Sequence, residues 1–198
     1  MKAQHISLTA LSLLPILPIS AKETNTDKPN IVMFLIDDLG WNDFSCYGNK
    51  FYQTPTIDSL ANTGVMFTDA YAACTVSSPT RAALMTGKYP ARLHLTDWIS
   101  GWNYEWAKLK IPEWKKYLSL EEKTVAEYLK EAGYTTWHVG KWHLGDDEKY
   151  WPENQGFDIN IGGNYKGAPI KNKQGCGGYF SPYCLPRLEN GPEGEYLT

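Results

Sequence analysis

The stretch IVMFLIDDLG, residues 31–40, changes abruptly from six apolar residues to two adjacent carboxylates. A short, continuous apolar run is typical of a strand that is buried on both faces of a parallel sheet. Asp37 and Asp38 then lie at the carboxyl end of that strand, where open α/β sheets bind their ligands. The stretch therefore predicts a fold class and the place of a site within it.

Helix and strand patterns alternate after this stretch. TPTIDSLANTG predicts a helix with Thr56 as a possible N-cap and Gly64 just past its end, and residues 65–71, VMFTDAY, predict a strand. PTRAALMT then predicts a helix with Ser78 as its N-cap and Gly87 as its end.

A capping box and a β-rich run follow later in the chain. Thr124 and Glu127 form the box ahead of a helix that ends at Gly133, and residues 134–140, YTTWHVG, predict a strand. This alternation predicts an α/β fold with a mainly parallel sheet flanked by helices.

Composition indicates one globular domain. The chain has 198 residues, of which 42% are hydrophobic and 21% charged, and its formal net charge is −3. This balance argues against disorder, and the charge gives no electrostatic case for binding nucleic acid or an anionic membrane. Four cysteines are too few for a disulfide scaffold, although Cys176 and Cys184 bracket a glycine-rich loop that they could close.

The first 21 residues resemble a secretory signal. Lys2 precedes the apolar run ISLTALSLLPILPIS, and a small residue, Ala21, ends the segment. The run is too short and too interrupted by proline to span a bilayer. Export to the periplasm or the exterior is expected; the alternative is an apolar N-terminus of a cytosolic protein.

The two carboxylates and the segment around Ser77 each have a functional and a structural interpretation. Asp37 and Asp38 could hold a divalent cation such as Ca²⁺ or Mg²⁺, or could simply form a turn. Ser77 lies beside the free N–H groups of a predicted helix start, where Arg81 can reach the same anion, but a capped helix that binds nothing has the same pattern.

Lys141 and His143 alternate after the strand predicted over residues 134–140, so their side chains are expected to face the same way. Lysine can neutralise an anion and histidine can move a proton near neutral pH. Residues 98–117 are rich in tryptophan and tyrosine, which could stack on sugar rings or pack locally in an insertion.

Three motifs resemble those of the type I sulfatases. SSPTRAALMTG, residues 77–87, is similar to the family signature of Cys or Ser, any residue, Pro, a small residue and Arg, with Thr-Gly after the helix. IVMFLIDDLG resembles the metal-binding strand, and HVGKWHLG, residues 138–145, resembles the Lys-any-His motif. Because the three occur in the family's order, the chain is identified as a member.

The resemblance implies an alkaline-phosphatase-like fold and hydrolysis of sulfate esters. It implies that a maturation enzyme oxidises the signature serine to formylglycine, whose hydrate, a geminal diol, is the nucleophile. Ser77 matches that serine because Pro79 and Arg81 lie at offsets of two and four, whereas Cys74 has neither. Arg81 would hold the modified residue and stabilise its charge.

The resemblance also implies the other site residues and the substrate class. Asp37, Asp38 and the modified Ser77 would bind Ca²⁺, with Mg²⁺ less favoured. Lys141 would contact sulfate and nucleophile, and His143 would help to expel sulfate from the covalent intermediate. The exported form and the tryptophan-rich segment resemble bacterial polysaccharide-degrading sulfatases, which points to a sulfated carbohydrate.

The resemblance covers only the N-terminal part of the family domain, in residues 22–198. The family's second metal pair and a further sulfate-binding His and Lys have no recognisable counterpart before Thr198. A fragment of a longer product, or a truncated and inactive protein, is expected. Two rival functions remain: a phosphatase or phosphodiesterase of the same superfamily that uses Ser77 directly, which Pro79 and Arg81 disfavour, and a non-catalytic remnant that binds sulfated glycans.

Overall fold

The computed structural model describes residues 28–102, 104–172 and 174–197. The predicted signal segment, residues 1–21, lies outside the described residues. The chain divides into two compact units, Met1–Ile36 and Asp37–Thr198. In the first unit, the described residues are exposed and form neither helix nor strand.

The predictions of strands over residues 31–36 and 65–71 are wrong. The apolar side chains from Ile31 to Ile36 are 42–86% exposed, and every residue from Val65 to Tyr71 is exposed without strand structure. A strand buried on both faces needs hydrogen-bonded neighbours and covering layers. The sheet formed by the described residues includes neither run, so these apolar patterns lack the partners that would make them strands.

The described residues of the second unit form four α-helices and three single 3₁₀ turns. The helices are α1 (Pro55–Thr63), α2 (Ser77–Thr86), α3 (Pro90–Leu93) and α4 (Val125–Glu131), and the turns are Ser45–Tyr47, Glu148–Tyr150 and Pro152–Asn154.

Helix α1 is held by polar side chains and contains no buried residue. It begins after Thr54 and not after the predicted Thr56, because Pro55 already adopts the first helical position. Asp58 accepts hydrogen bonds from Ser45 (2.7 Å) and from the Thr54 hydroxyl (3.2 Å). The predicted end at Gly64 is confirmed.

Helix α2 begins one residue before its predicted cap. Val76 is the N-cap, so Ser77 and Ser78 both lie in the first turn. The Ser78 hydroxyl instead accepts the N–H of Ile99 at 3.1 Å, in the interior of the protein. Gly87 ends the helix in the left-handed region, at φ 68°, as predicted.

The capping box of α4 is confirmed. The Thr124 hydroxyl accepts the N–H of Glu127, and the Glu127 carboxylate accepts the N–H of Thr124 at 2.7 Å. The same hydroxyl donates to the carbonyl of Gln155 at 2.7 Å, which ties the helix start to a distant segment. Gly133 follows the helix at φ 84°.

The sheet has two parallel strands, β1 (Trp137–Val139) and β2 (Ile159–Ile161), with His138 opposite Asn160. This arrangement confirms the predicted α/β class with a parallel sheet. Strand β1 occupies the centre of the predicted residues 134–140, whereas β2 was not predicted, because the chain after Gly156 has little periodicity.

The hydrophobic core lies between α2, the segment after α3 and the segment after β1. Its buried members are Ala82, Met85, Leu93, Leu95, Ile99, Leu118, Trp142 and Leu144. The core therefore supports both segments that carry the candidate site residues.

Cys176 and Cys184 form a disulfide across the glycine-rich loop, with their Cα atoms 5.5 Å apart. Cys46 and Cys74 are free thiols. Within the described part of the chain, no helix has the length and apolar character needed to cross a bilayer.

Candidate active site

The first turn of α2 and the segment after β1 meet at the carboxylate of Asp37. The Lys141 ammonium donates to the Ser77 hydroxyl at 2.7 Å and also to Asp37. The Ser77 hydroxyl in turn donates to Asp37 Oδ1 at 3.3 Å. Three residues that lie far apart in sequence therefore share one hydrogen-bonded cluster.

Arg81 completes this cluster from one turn further along α2. Its Nη2 lies 3.6 Å from Asp37 Oδ2, and its Nη1 donates to the carbonyl of Lys141 at 2.6 Å. Arg81 is buried, and its enclosed Nε has no hydrogen-bond partner among the described residues. The carbonyl of Lys141 thus holds the guanidinium, so the position of Arg81 does not depend on Asp37 alone.

Two cations surround the carboxylate of Asp37. Partial burial acts to raise the pKa of Asp37, but the hydrogen bond and charge of Lys141, with the charge of Arg81, hold that pKa below its ordinary value. Burial lowers the pKa of Arg81, opposed by Asp37 and Asp38. Asp37 is therefore ionised between two cations, and Asp38 adds a second negative charge near Arg81.

The oxygen atoms of Asp37, Asp38 and Ser77 are of the type that a hard cation binds. They are too few to fill its coordination sphere. Asp38 is exposed, with its backbone in the left-handed region at φ 53°. Two carboxylates and the Ser77 hydroxyl are the ligands that Ca²⁺ prefers, but Ca²⁺ takes six to eight oxygens. Among the described residues, no group of three or more His, Cys, Asp or Glu could hold a metal ion.

His143 lies near the cluster but does not contact Ser77 by a hydrogen bond. Its Nε2 donates to the carbonyl of Ile99, since a carbonyl can only accept, and its N–H donates to the carbonyl of Asn164 at 3.1 Å. The expectation that it faces the same way as Lys141 rests on an extended backbone, but His143 has φ 64°. The local chain is therefore not a continued strand.

The surroundings of His143 keep its ring neutral. Burial lowers the pKa of His143, and the charges of Lys141 and Arg81 add to this effect, against the Ile99 hydrogen bond. The neutral ring donates through Nε2, so its buried Nδ1, which has no partner among the described residues, carries a lone pair. This nitrogen can accept a proton.

Sequence reasoning missed the residues that hold His143. A side chain at Gly167 would place Cβ 2.7 Å from Cε1 of the His143 ring, so only glycine fits there without a shift. Ile99 holds both His143 and Ser78 through its peptide groups. Nothing in the local pattern around either residue indicates such a contact, because both act through backbone atoms.

A sulfatase family model matches residues 29–197. The chain belongs to the sulfatase family. Arylsulfatase G of Rattus norvegicus is 38% identical over 165 residues, which are 82% of this chain and 28% of that protein. N-acetylgalactosamine-6-sulfatase of the same species is 37% identical over 177 residues, which are 87% of this chain and 32% of that protein.

A solved structure with a similar sequence agrees with the fold. The crystal structure of Ps i-CgsB in complex with k-i-k-neocarrahexaose is 32% identical, with a TM-score of 0.55, over 81% of this chain and 35% of that chain. This sulfatase chain thus spans about a third or less of the length of the relatives it matches. Its cluster places a hydroxyl, two cations and a carboxylate together at position 77.

Proposed function

We propose that this chain is part of an exported hydrolase that removes sulfate from sulfated carbohydrates at Ser77. The observation that carries the proposal is the contact of the Lys141 ammonium with the Ser77 hydroxyl, 2.7 Å apart. A hydroxyl is a weak nucleophile unless its environment favours the charged form, and an adjacent ammonium does so. The family membership supports sulfate ester hydrolysis as the reaction.

Lys141 and Arg81 would stabilise the charge of the sulfuryl group. Arg81 is buried and fixed to the carbonyl of Lys141, so it does not need to reorganise when substrate binds. Preorganised cations at the place where charge develops are the most effective electrostatic catalysts. Asp37, which accepts from both Lys141 and Ser77, would orient the nucleophile.

His143 would accept a proton through Nδ1 during the expulsion of sulfate. The neutral ring and the unpartnered, buried Nδ1 support this role. The hydrogen bond to Ile99 fixes the tautomer that leaves Nδ1 available. A rearrangement is required, because Nδ1 is buried and the described residues show no hydrogen bond between His143 and Ser77.

Asp37, Asp38 and Ser77 would hold Ca²⁺, with further oxygen ligands from water or from outside the described residues. The all-oxygen donor set fits this cation. Bound there, the cation would offset negative charge on the sulfuryl oxygens and lower the pKa of a coordinated hydroxyl.

We further propose that Ser77 is oxidised to formylglycine by a maturation enzyme. The support is the position of Ser77 before Pro79 and Arg81, the pattern of the family signature. The oxidation removes two hydrogens from the serine side chain. The hydrated form then offers one hydroxyl to accept sulfate and a second whose deprotonation expels it, so no sulfated enzyme accumulates.

Two observations support an exported, carbohydrate-directed protein. The Cys176–Cys184 disulfide fits an oxidising compartment. The structural relative described above was solved with k-i-k-neocarrahexaose, an oligosaccharide.

Mass spectrometry of the tryptic peptide from Phe51 to Arg81 tests the modification. Protein from the native host is expected to give a peptide lighter by two hydrogens than the sequence requires, and a Ser77→Ala variant to give no such loss. An unmodified wild-type peptide would contradict the formylglycine proposal.

Turnover of an aryl sulfate and an aryl phosphate by the same preparation tests the reaction. Sulfate release that disappears in Ser77→Ala is expected. Faster phosphate release, with unmodified Ser77, would instead favour the phosphatase, and binding of sulfated glycans without release would favour a non-catalytic protein.

A further inference from the structure

Ser78 is a polar side chain in the interior of the protein. It lies in the first turn of α2, next to Ser77, yet it is fully buried and Val76 is the N-cap of the helix. A buried hydroxyl is costly unless it forms a hydrogen bond. The sulfatase signature leaves this position open to any residue, so the family motif assigns Ser78 no role.

The partner of Ser78 is the backbone of Ile99. The N–H of Ile99 donates to the Ser78 hydroxyl at 3.1 Å. Ile99 belongs to no helix or strand and is 3% exposed, so neither a regular hydrogen-bond pattern nor solvent supplies another acceptor. The Ser78 hydroxyl therefore holds the backbone of a residue 21 positions further along the chain.

The carbonyl of Ile99 continues this line of hydrogen bonds to His143. It accepts from Nε2 of the imidazole, and His143 is buried as well. Because a carbonyl can only accept, the contact keeps the ring proton on Nε2 and leaves Nδ1 with its lone pair. The interior thus contains one path from the Ser78 hydroxyl, through the Ile99 backbone, to the His143 ring.

The other contacts of His143 hold its position without fixing its ring proton. Its backbone N–H donates to the carbonyl of Asn164 at 3.1 Å. Gly167 lies against the ring, since a Cβ there would be 2.7 Å from Cε1 and 3.0 Å from Nδ1. Neither contact is a hydrogen bond to a ring nitrogen. Among the described residues, the Ile99 carbonyl therefore determines the tautomer.

We propose that Ser78 is a positioning residue for His143. Its hydroxyl holds the backbone of Ile99, whose carbonyl orients the imidazole and keeps Nδ1 free to accept a proton. The inference rests on the proposed function, in which His143 accepts a proton, and adds the residue that orients this acceptor. Ser78 acts through Ile99 and not by contact with the sulfate ester.

Hydrogen exchange of the isotope-labelled full chain, followed by NMR, tests this path without requiring activity. The wild-type chain is expected to show a resolved His143 Nε2 proton and a slowly exchanging Ile99 amide, because both are buried and hydrogen-bonded. Ser78→Ala removes the acceptor of the Ile99 amide. Both protons are then expected to exchange about tenfold faster.

Thr124→Ala is the matched control. Thr124 is also fully buried, and its hydroxyl donates to the carbonyl of Gln155 at 2.7 Å, so the change removes a comparable hydrogen bond. Its hydrogen-bond partners include neither Ile99 nor His143. The control therefore measures the effect of a general loss of stability, and it should accelerate exchange of the two protons less than Ser78→Ala does.

Turnover of the aryl sulfate by the same variants tests the consequence for the reaction. Ser78→Ala is expected to lower kcat about tenfold with little change in KM, because a misplaced proton acceptor slows the chemical step and not substrate binding. Thr124→Ala should leave both kcat and KM unchanged.

Two exchange results would overturn the proposal. The first is the absence of the two protected protons in the wild-type chain, a result that does not depend on how any variant folds. The second is equal acceleration in Ser78→Ala and Thr124→Ala, which would show a general loss of stability.

The turnover results separate the positioning role from the hydrolase. Faster exchange in Ser78→Ala with an unchanged kcat would contradict the positioning role alone. Faster exchange in Ser78→Ala, in a chain whose wild type releases no sulfate, would support the hold of Ser78 on His143 and contradict the hydrolase.

Discussion

Two regions of the molecule differ in what stabilises them. We call residues Asp37 to Tyr71 the open region and residues Ser77 to Ile161 the packed region. The open region contains no buried residue, and its helix α1 is fixed by hydrogen bonds among polar side chains. The packed region contains every member of the core described above. Regular apolar patterns occur in both, so a pattern alone does not determine burial.

The candidate active site joins these two regions. Ser77, Arg81 and Lys141 belong to the packed region, and Asp37 belongs to the open one. The two cations therefore have a rigid support, whereas their counter-ion is held mainly by its contacts with them. Three predictions test this difference, from the largest effect to the smallest.

Leu144→Ala should lower the free energy of unfolding by about 3–4 kcal/mol, because Leu144 is fully buried and its removal leaves a cavity. The matched change Leu60→Ala, in α1, should cost less than about 0.5 kcal/mol, because Leu60 is 66% exposed. Urea denaturation followed by circular dichroism measures both. Equal losses would mean that the open region is packed in solution.

His138 should make the packed region sensitive to acid. Burial lowers the pKa of His138 to about 4, with a further lowering by Arg81 and opposing contributions from Asn160 and Glu153. Because the unfolded chain has the higher pKa, about 6.5, it binds more protons in this window. Stability is therefore complete above pH 6.5 and falls by up to about 3 kcal/mol as pH decreases to about 4.

The control for this prediction is His138→Phe, which keeps an aromatic ring against Trp142 and Phe157, both in edge contact with the imidazole. Urea denaturation between pH 4 and 7.5 should give a smaller slope of stability against pH for this variant. A slope equal to that of the wild type would show that His138 is not the group responsible.

Asp37→Asn should lower stability by about 1 kcal/mol, because it leaves Arg81 and Lys141 without their shared counter-ion at a partly exposed place. The neighbouring change Asp38→Asn should have an effect below about 0.5 kcal/mol, since Asp38 is exposed. The two thermal unfolding curves are compared in the absence of divalent cations. A larger loss of stability in Asp38→Asn than in Asp37→Asn would show that the ion pairs of Asp37 do not connect the open and packed regions.

The features that could be predicted from the sequence are those that depend on a few neighbouring residues. The capping box of Thr124 and Glu127 and the glycines at 64 and 87 satisfy backbone groups within one turn. The strands predicted over residues 31–36 and 65–71 required partners elsewhere in the chain, and the described residues supply none. Strand β2 forms without a clear local pattern because β1 pairs with it.

The candidate site also has features that could be predicted from the sequence and features that could not. The family motifs placed Asp37, Ser77, Arg81 and Lys141 in one hypothesis. The structure brings these four side chains together, although their roles stay predictions. The support of His143 could not be predicted, because it depends on the carbonyl of Ile99.

The hydrogen bonds of the cluster also determine when the site can form during folding. Ser77–Asp37, Arg81–Lys141 and Lys141–Asp37 connect residues separated by 40, 60 and 104 positions. Closing such loops costs chain entropy before any contact compensates for it, so long-range contacts form slowly. During synthesis the residues of α2 emerge while those around Lys141 are still to be made. The nascent protein therefore presents Ser77 and Arg81 before the Lys141 ammonium that contacts Ser77 has been made.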